Sequence, residues 1–279
     1  MKNFLTIDVE DYYHVSGLAS VIQRKDWDAC PQRVTQNTRK ILDILDTFNV
    51  KATFFILGIV AEQHPELVAD IHKAGHEIAS HGYGHELVYD LTEAQFRLDV
   101  LHAKQMLEGI TGAPILGYRA PSFSIVRRTP WALDVLLDLG FCYDSSLFPV
   151  QHDRYGVPDA ARFPHIVRRN GRDALWEFPP CTWRAMGKNI PMAGGGYFRF
   201  FPYSLTRACI RSWNEAGQPA MVYLHPWELD PDQPRFKPDM KNRFRHYINL
   251  DQTEPRLKRL LEDFNFTTIA DVLRTLRET

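Results

Sequence analysis

Short apolar runs alternate with stretches of helical periodicity through the first 225 residues of this chain. Residues 4–9 form a β-rich run. In 34–48 the apolar residues Val34, Ile41, Leu42, Leu45 and Phe48 recur at helical spacing. A compact apolar run at 52–57 predicts a buried strand, and 65–74 predict a helix closed by Gly75. A third strand is expected at 76–80. Thr92 and Glu93 open a long helix to about residue 110, which Gly112 and Pro114 end. Strand at 115–118, helix at 129–139, strand at 141–143 and buried strand at 221–225 complete the rhythm.

Such βαβα alternation implies a mainly parallel sheet with helices outside it. The fold class expected is α/β, first as a closed or distorted (β/α) barrel and second as an open doubly wound sheet. Residues 230–251 are rich in Pro, Asp, Lys and Arg and read as a long irregular loop. Helical patterns return at 254–264 and 269–276. No flexible linker precedes them, so the expected organisation is a barrel over 1–229, with 230–279 as a helical cap packed on it rather than an independent domain.

Composition changes this picture little. The 279 residues are 44% hydrophobic and 24% charged, with a formal net charge of -1. These are globular proportions, and the basic surplus of a nucleic-acid binder is missing. The N-terminus lacks the charged and apolar regions of an export signal. No window approaches the ~18 uninterrupted apolar residues of a membrane span. A cytoplasmic protein is expected. Cys30, Cys142, Cys181 and Cys209 are scattered without a CxxC pair, which fits buried thiols better than a zinc knuckle or a disulfide framework.

The polar residues carry more information. Asp8, Glu10 and Asp11 end the first predicted strand, and His81 and His85 follow the third. Arg119, Asp144 and His225 follow later ones. Ionisable groups at the C-terminal ends of successive parallel strands are where barrel enzymes assemble their sites. His81 and His85, with three residues between them, would share a face on a helical turn, and neutral imidazole is a common ligand of divalent ions. Two histidines and one carboxylate leave positions open for water and substrate, as a catalytic metal site requires. Amide hydrolysis needs a Lewis acid, an activated water and an acid for the leaving amine.

In the order TIDVED, SHGYGH, GYRAPSF, YDSS and VYLHP, from residue 6 to residue 226, the chain resembles the five motifs of the polysaccharide deacetylases (NodB homology, carbohydrate esterase family 4). The resemblance implies a distorted barrel and removal of acetyl groups from N-acetylated sugars. It makes Asp8 the general base, His81 and His85 metal ligands, and Arg119 the holder of Asp8. Ser122 would offer a backbone N–H to the oxyanion. His225 would be the general acid, kept protonated by Asp144. Zn²⁺ is the ion expected, although Fe²⁺ and Co²⁺ fit the same ligands.

Two positions depart from the family pattern. The first motif reads Asp-Val-Glu-Asp instead of paired aspartates. Strand alternation points Asp8 and Glu10 the same way, which favours Glu10 as the metal carboxylate, with Asp11 the alternative if the strand ends at Glu10. Gly82 stands where the family has Ser or Thr. GGGYFRF (194–200), LHPWELD (224–230) and RFRHY (243–247) are similar to segments of deacetylases from bacterial exopolysaccharide gene clusters, which carry a C-terminal extension. Tyr12, Phe123, Tyr197 and Trp227 are then expected to contact the sugar. Alternatively, Trp227, Phe244 and Tyr247 only pack the cap on the barrel. Two other functions compete: an allantoinase-like hydrolase of a small ureide, and a non-catalytic carbohydrate-binding protein. The intact Asp8, His81, His85 and His225 set favours the deacetylase.

Overall fold

The computed structural model describes residues 1–192 and 194–278. Its strands are β1 (Lys2–Val9), β2 (Thr53–Ile56), β3 (Glu77–Ser80), β4 (Gly117–Tyr118), β5 (Tyr143–Asp144), β6 (His165–Asn170), β7 (Asp173–Glu177), β8 (Thr182–Ala185), β9 (Lys188–Pro191), β10 (Met221–Leu224) and β11 (Asn265–Thr267). Its helices are α1 (Val34–Thr47), α2 (Gly58–Gln63), α3 (Pro65–Lys73), α4 (Glu93–Thr111), α5 (Trp131–Asp138), α6 (Gly195–Phe200), α7 (Tyr203–Glu215), α8 (Met240–Tyr247), α9 (Thr253–Asp263) and α10 (Ile269–Glu278).

The main sheet runs β10-β1-β2-β3-β4-β5-β7-β6, with β11 also paired to β1. Its described ladders are parallel except β6 with β7, and β8 and β9 form a separate antiparallel pair. The order follows the chain around the sheet without the reversal that defines a doubly wound fold. Among the described residues no ladder joins β10 to β7, so the barrel is distorted and incomplete. Cys181 N–H donates to the Met221 carbonyl at 3.2 Å and partly spans the gap.

Alternation along β1 sorts its two faces. Leu5, Ile7 and Val9 enter the large core shared with the helices, including Ile41, Leu45, Val60, Leu67, Phe96 and Leu133. Phe4 enters a second core inside the sheet with Phe55, Ala79, Tyr143, Phe178 and Met221. Thr6 and Asp8 share that inner face, which carries Asp8 to the C-terminal mouth of the barrel.

Local chemistry fixes several boundaries. Thr92 caps α4 in a reciprocal box with Gln95, and Gly112 ends that helix at φ +66°, as the sequence predicts. At Gly117 a Cβ would stand 1.9 Å from the Tyr143 ring. Gly117→Ala is therefore expected to lower stability by about 1–3 kcal/mol through overpacking. A reduced urea midpoint at unchanged slope would show it.

The segment expected to be one irregular loop over 230–251 instead holds α8 and a 3-10 turn at Leu250–Gln252. Asp239 supplies the missing signal: its carboxylate accepts the Asn242 N–H at 3.1 Å and nucleates α8 in a charge-rich stretch. β6 to β9, α6 and α7 fill the Pro- and Arg-rich region that periodicity left unassigned. Cys181 and Cys209 are buried free thiols with sulfurs 3.4 Å apart, whereas Cys30 and Cys142 are only partly buried.

Candidate active site

The site lies at the mouth of the barrel, where β1, β3, β4 and β10 end. Glu10 follows β1, and its N–H donates to the Asp8 carbonyl at 3.0 Å, turning the chain at once. His81 and His85 follow β3 on a turn, not on a helix. Gly82 at φ +73° and His85 at φ +57° bend this turn so that both rings face Glu10. A glycine at 82 suits the left-handed backbone that a Ser or Thr would strain.

Glu10, His81 and His85 each offer a ligand atom within 4.8 Å of the others. His81 Nδ1 lies 2.8 Å from the Arg119 carbonyl. Only a donor satisfies a carbonyl, so the proton sits on Nδ1 and the Nε2 lone pair is available to an ion. Glu10 Oε2 is 2.7 Å from His85 Nε2 yet receives no aligned hydrogen bond. A buried, unsatisfied carboxylate oxygen facing two imidazoles fits a divalent cation. Burial opposes charge on Glu10, but His85 and His225 beside it hold its carboxyl well below the usual carboxylate range. Burial pushes the His81 imidazole down to about 4 and keeps it in the neutral, ligating form.

Asp11 points elsewhere. Its side chain accepts the backbone N–H groups of Tyr12 at 2.9 Å, Arg33 at 2.6 Å and Val34 at 2.9 Å. It ties the loop after β1 to the start of α1. Glu10, and not Asp11, thus shares a cluster with His81 and His85.

Asp8 is held by Arg119, whose Nη1 donates to Asp8 Oδ1 at 2.6 Å and to Thr6 Oγ1 at 2.8 Å. Arg119 Nη2 donates to Ser145 Oγ at 2.9 Å, and the guanidinium lies 4.1 Å over the Phe55 ring. The other Asp8 oxygen is 3.8 Å from His225 Nε2.

His225 Nε2 faces Glu10 at 3.3 Å, while Nδ1 is 2.7 Å from Glu228 Oε1. Burial works against the imidazolium, yet Glu10 and Glu228 on either side raise His225 to about 9. The expected Asp144 partner is corrected here. Asp144 accepts from Ser146 Oγ at 2.5 Å and from Ser146 N–H at 3.2 Å, and it pairs across the ladder with Glu177. Burial raises Asp144 to about 6. Glu228, three residues beyond His225 in the Pro226–Leu229 turn, takes the place beside the histidine. The spacing in HPWE was the available signal, and the family's YDSS motif masked it.

A cavity of about 640 Å³ opens over these groups. Ser122, Phe123, Tyr197 and Trp227 line it, together with Tyr155 and Tyr223. Ser122 and Phe123 are both left-handed, at φ +50° and +53°, a strained pairing of the kind concentrated at ligand sites. Tyr12 does not reach the cavity. It is buried among Tyr13, Leu18, Ile22, Trp227 and Leu250 beneath the site. Trp227 lines the cavity and also packs, stacking on His246 at 4.4 Å and His225 at 5.2 Å. Tyr247 packs, its hydroxyl accepting the Phe236 N–H at 2.8 Å, but Phe244 is exposed.

His81, His85 and Arg119 lie within a segment that a family comparison spans, whereas Asp8 and Glu10 precede it. Residues 26–142 match the polysaccharide deacetylase family. Residues 145–274 match a domain of unknown function, DUF3473. The deacetylase match is supported by a peptidoglycan-N-acetylglucosamine deacetylase of Bacillus cereus, 36% identical over 98 residues, or 35% of this chain and 36% of that protein. The chain thus spans about a third of the length of the first curated relatives it matches. A solved Mycobacterium smegmatis protein assigned to the polysaccharide deacetylases shares the fold, with TM-score 0.60, 22% identity and coverage of 99% of this chain and 89% of that one. PuuE allantoinase also shares it, with TM-score 0.63, 18% identity and coverage of 99% and 90%. Among the described residues no helix is long and apolar enough to cross a membrane.

Proposed function

We propose that this chain is a metal-dependent hydrolase that removes the N-acetyl group from an N-acetylated sugar during exopolysaccharide or other glycan biosynthesis. One observation carries the reading. A three-ligand cluster, an arginine-held carboxylate and a carboxylate-held histidine converge on one aromatic cavity. The deacetylase match over 26–142 and the B. cereus relative support the sugar amide as substrate.

Glu10, His81 and His85 would hold the cation, and two imidazoles with one carboxylate suit Zn²⁺. When bound, the ion supplies Lewis acidity to the acetyl carbonyl and to water. The protein supplies the remainder. Asp8 takes the proton of the attacking water, and Arg119 fixes it at the required place. Ser122, on its left-handed turn, presents backbone N–H to the developing oxyanion. His225 Nε2 delivers a proton to the departing amine, while Glu228 orients the ring through Nδ1. Acetate leaves and the sugar retains a free amine.

The deciding measurement is acetate release from N-acetylated oligosaccharides before and after chelation, with Zn²⁺ restored. Release that falls on chelation and returns with the ion is expected. A folded, metal-loaded protein that frees no acetate from any sugar would overturn the reading and favour the small-amide hydrolase whose fold it shares. Glu228→Gln is expected to lower kcat roughly tenfold to a hundredfold without altering metal content. Unchanged turnover would remove Glu228 from the proton path.

A further inference from the structure

Beyond the aromatic walls, the rim of the cavity has an unusual composition. On α8, Met240 and Phe244 are one turn apart and point to solvent, 89% and 54% exposed. Phe200, at the end of α6, is 50% exposed and meets Phe244 edge to face at 5.9 Å. All three line the cavity. Large apolar side chains gathered at a cavity mouth signal a ligand more often than chance exposure does.

Cations alternate with them. Lys241 and Arg245, again one turn apart on α8, and Arg154 opposite also line the cavity. Arg154 Nη2 donates to Asn242 Oδ1 at 2.7 Å and is thereby aimed across the rim. Asp153 is the carboxylate that meets both Lys241 and Arg245, the latter at 3.5 Å. Asp239, which caps α8 and bonds Asn242, is a second carboxylate beside Arg154; three cations against these two anions leave the mouth net positive by one. The cavity therefore presents the ionisable cluster at its floor and a rim in which positive charge and apolar surface alternate.

Resting on the deacetylase reading above, we propose that the substrate is an N-acetylated sugar whose reducing end bears a phosphate joined to an apolar tail. The sugar occupies the aromatic chamber with its acetyl group at the floor. The phosphate meets Arg154, Lys241 and Arg245, and the first carbons of the tail lie on Phe200, Met240 and Phe244. The segment after Asp230 then contributes specificity, since α8 supplies four of these six side chains.

The test uses four forms of N-acetylglucosamine: the methyl glycoside, the octyl glycoside, the 1-phosphate and the farnesyl phosphodiester. With zinc-loaded full-length protein, kcat/KM for the phosphodiester is expected to exceed that for the methyl glycoside by roughly tenfold or more, with each singly modified form between them. In Met240→Ser/Phe244→Ser the advantage of the tail should vanish. In Lys241→Gln/Arg245→Gln the advantage of the phosphate should vanish and its salt dependence should flatten. These ratios are internal to each variant, so partial loss of folded protein does not imitate them. Equal rates on all four forms would overturn the proposal and leave the deacetylase standing. No acetate from any form would overturn both. Equal rates in solution, with turnover stimulated by anionic phosphatidylglycerol vesicles, would assign the rim to a membrane surface and overturn the substrate assignment.

Discussion

Asp8→Asn is expected to release acetate about 10²–10⁴-fold more slowly than the native chain while keeping its metal. The substitution preserves shape and removes only the ability to accept a proton. Glu10, His81 and His85 are untouched, so metal content measured by mass spectrometry should match the native protein. There is a second cost. Arg119 is fully buried and its Nη1 lies 2.6 Å from Asp8. Facing a neutral amide, it loses the ion pair it makes with Asp8. Breaking a buried pair on one side costs about 3–5 kcal/mol, and the amide oxygen, which can still accept, should keep the loss towards or below the lower figure. A melting curve run beside the kinetics separates the two effects. A folded variant with near-native turnover would remove Asp8 from the role of base.

Glu10→Gln and Asp11→Ala should fail in opposite ways. The first removes an anionic ligand from between two imidazoles. Metal affinity should drop by more than the roughly 10–100-fold typical of losing an outer hydrogen-bond partner, with folding intact. Asp11→Ala should keep the metal. It strands the N–H groups of Arg33 and Val34, both bonded to Asp11 Oδ2, and a buried donor left unmade costs about 1–3 kcal/mol. Zinc titration and urea unfolding on both variants give the comparison. Metal lost from Asp11→Ala and retained by Glu10→Gln would exchange the two assignments.

Much of this architecture was legible because the sheet is parallel and its strands are nearly continuous apolar runs. β2 and the caps of α4 follow from period and capping alone. The inward Asp8 follows from alternation along β1. Other features needed tertiary information. Asp144 and Glu228 are each one carboxylate near a strand end, and only the path of the turn after β10 decides which meets His225. His81 and His85 do share a face, but a turn with two left-handed residues puts them there, and spacing alone could not separate that from a helix. Tyr12 follows the acidic motif directly yet turns beneath the site, because Asp11 bonds back to Arg33 and Val34. α8 carries no apolar stripe, because Met240 and Phe244 face solvent beside Lys241 and Arg243 while His246 is its buried residue, so periodicity gives no sign of it.

The pairing of β1 with both β10 and β11 bears on when the protein can first work. Lys2 sits beside Asn265, and Asn3 donates to the Asn265 carbonyl across 262 residues of chain. A ribosome adding about 5–20 residues per second needs on the order of ten to fifty seconds to cover that distance. For most of that time, until β10 emerges, the strand bearing Asp8 lacks its partner on one flank, and His225 with Glu228 follows directly after β10. Asp8, Glu10, His81, Arg119, His225 and Glu228 can therefore come together only once β10 and the turn after it have been made. A nascent polypeptide stalled before β11 should remain a client of chaperones, and truncation of the final helices should cost solubility before it costs chemistry.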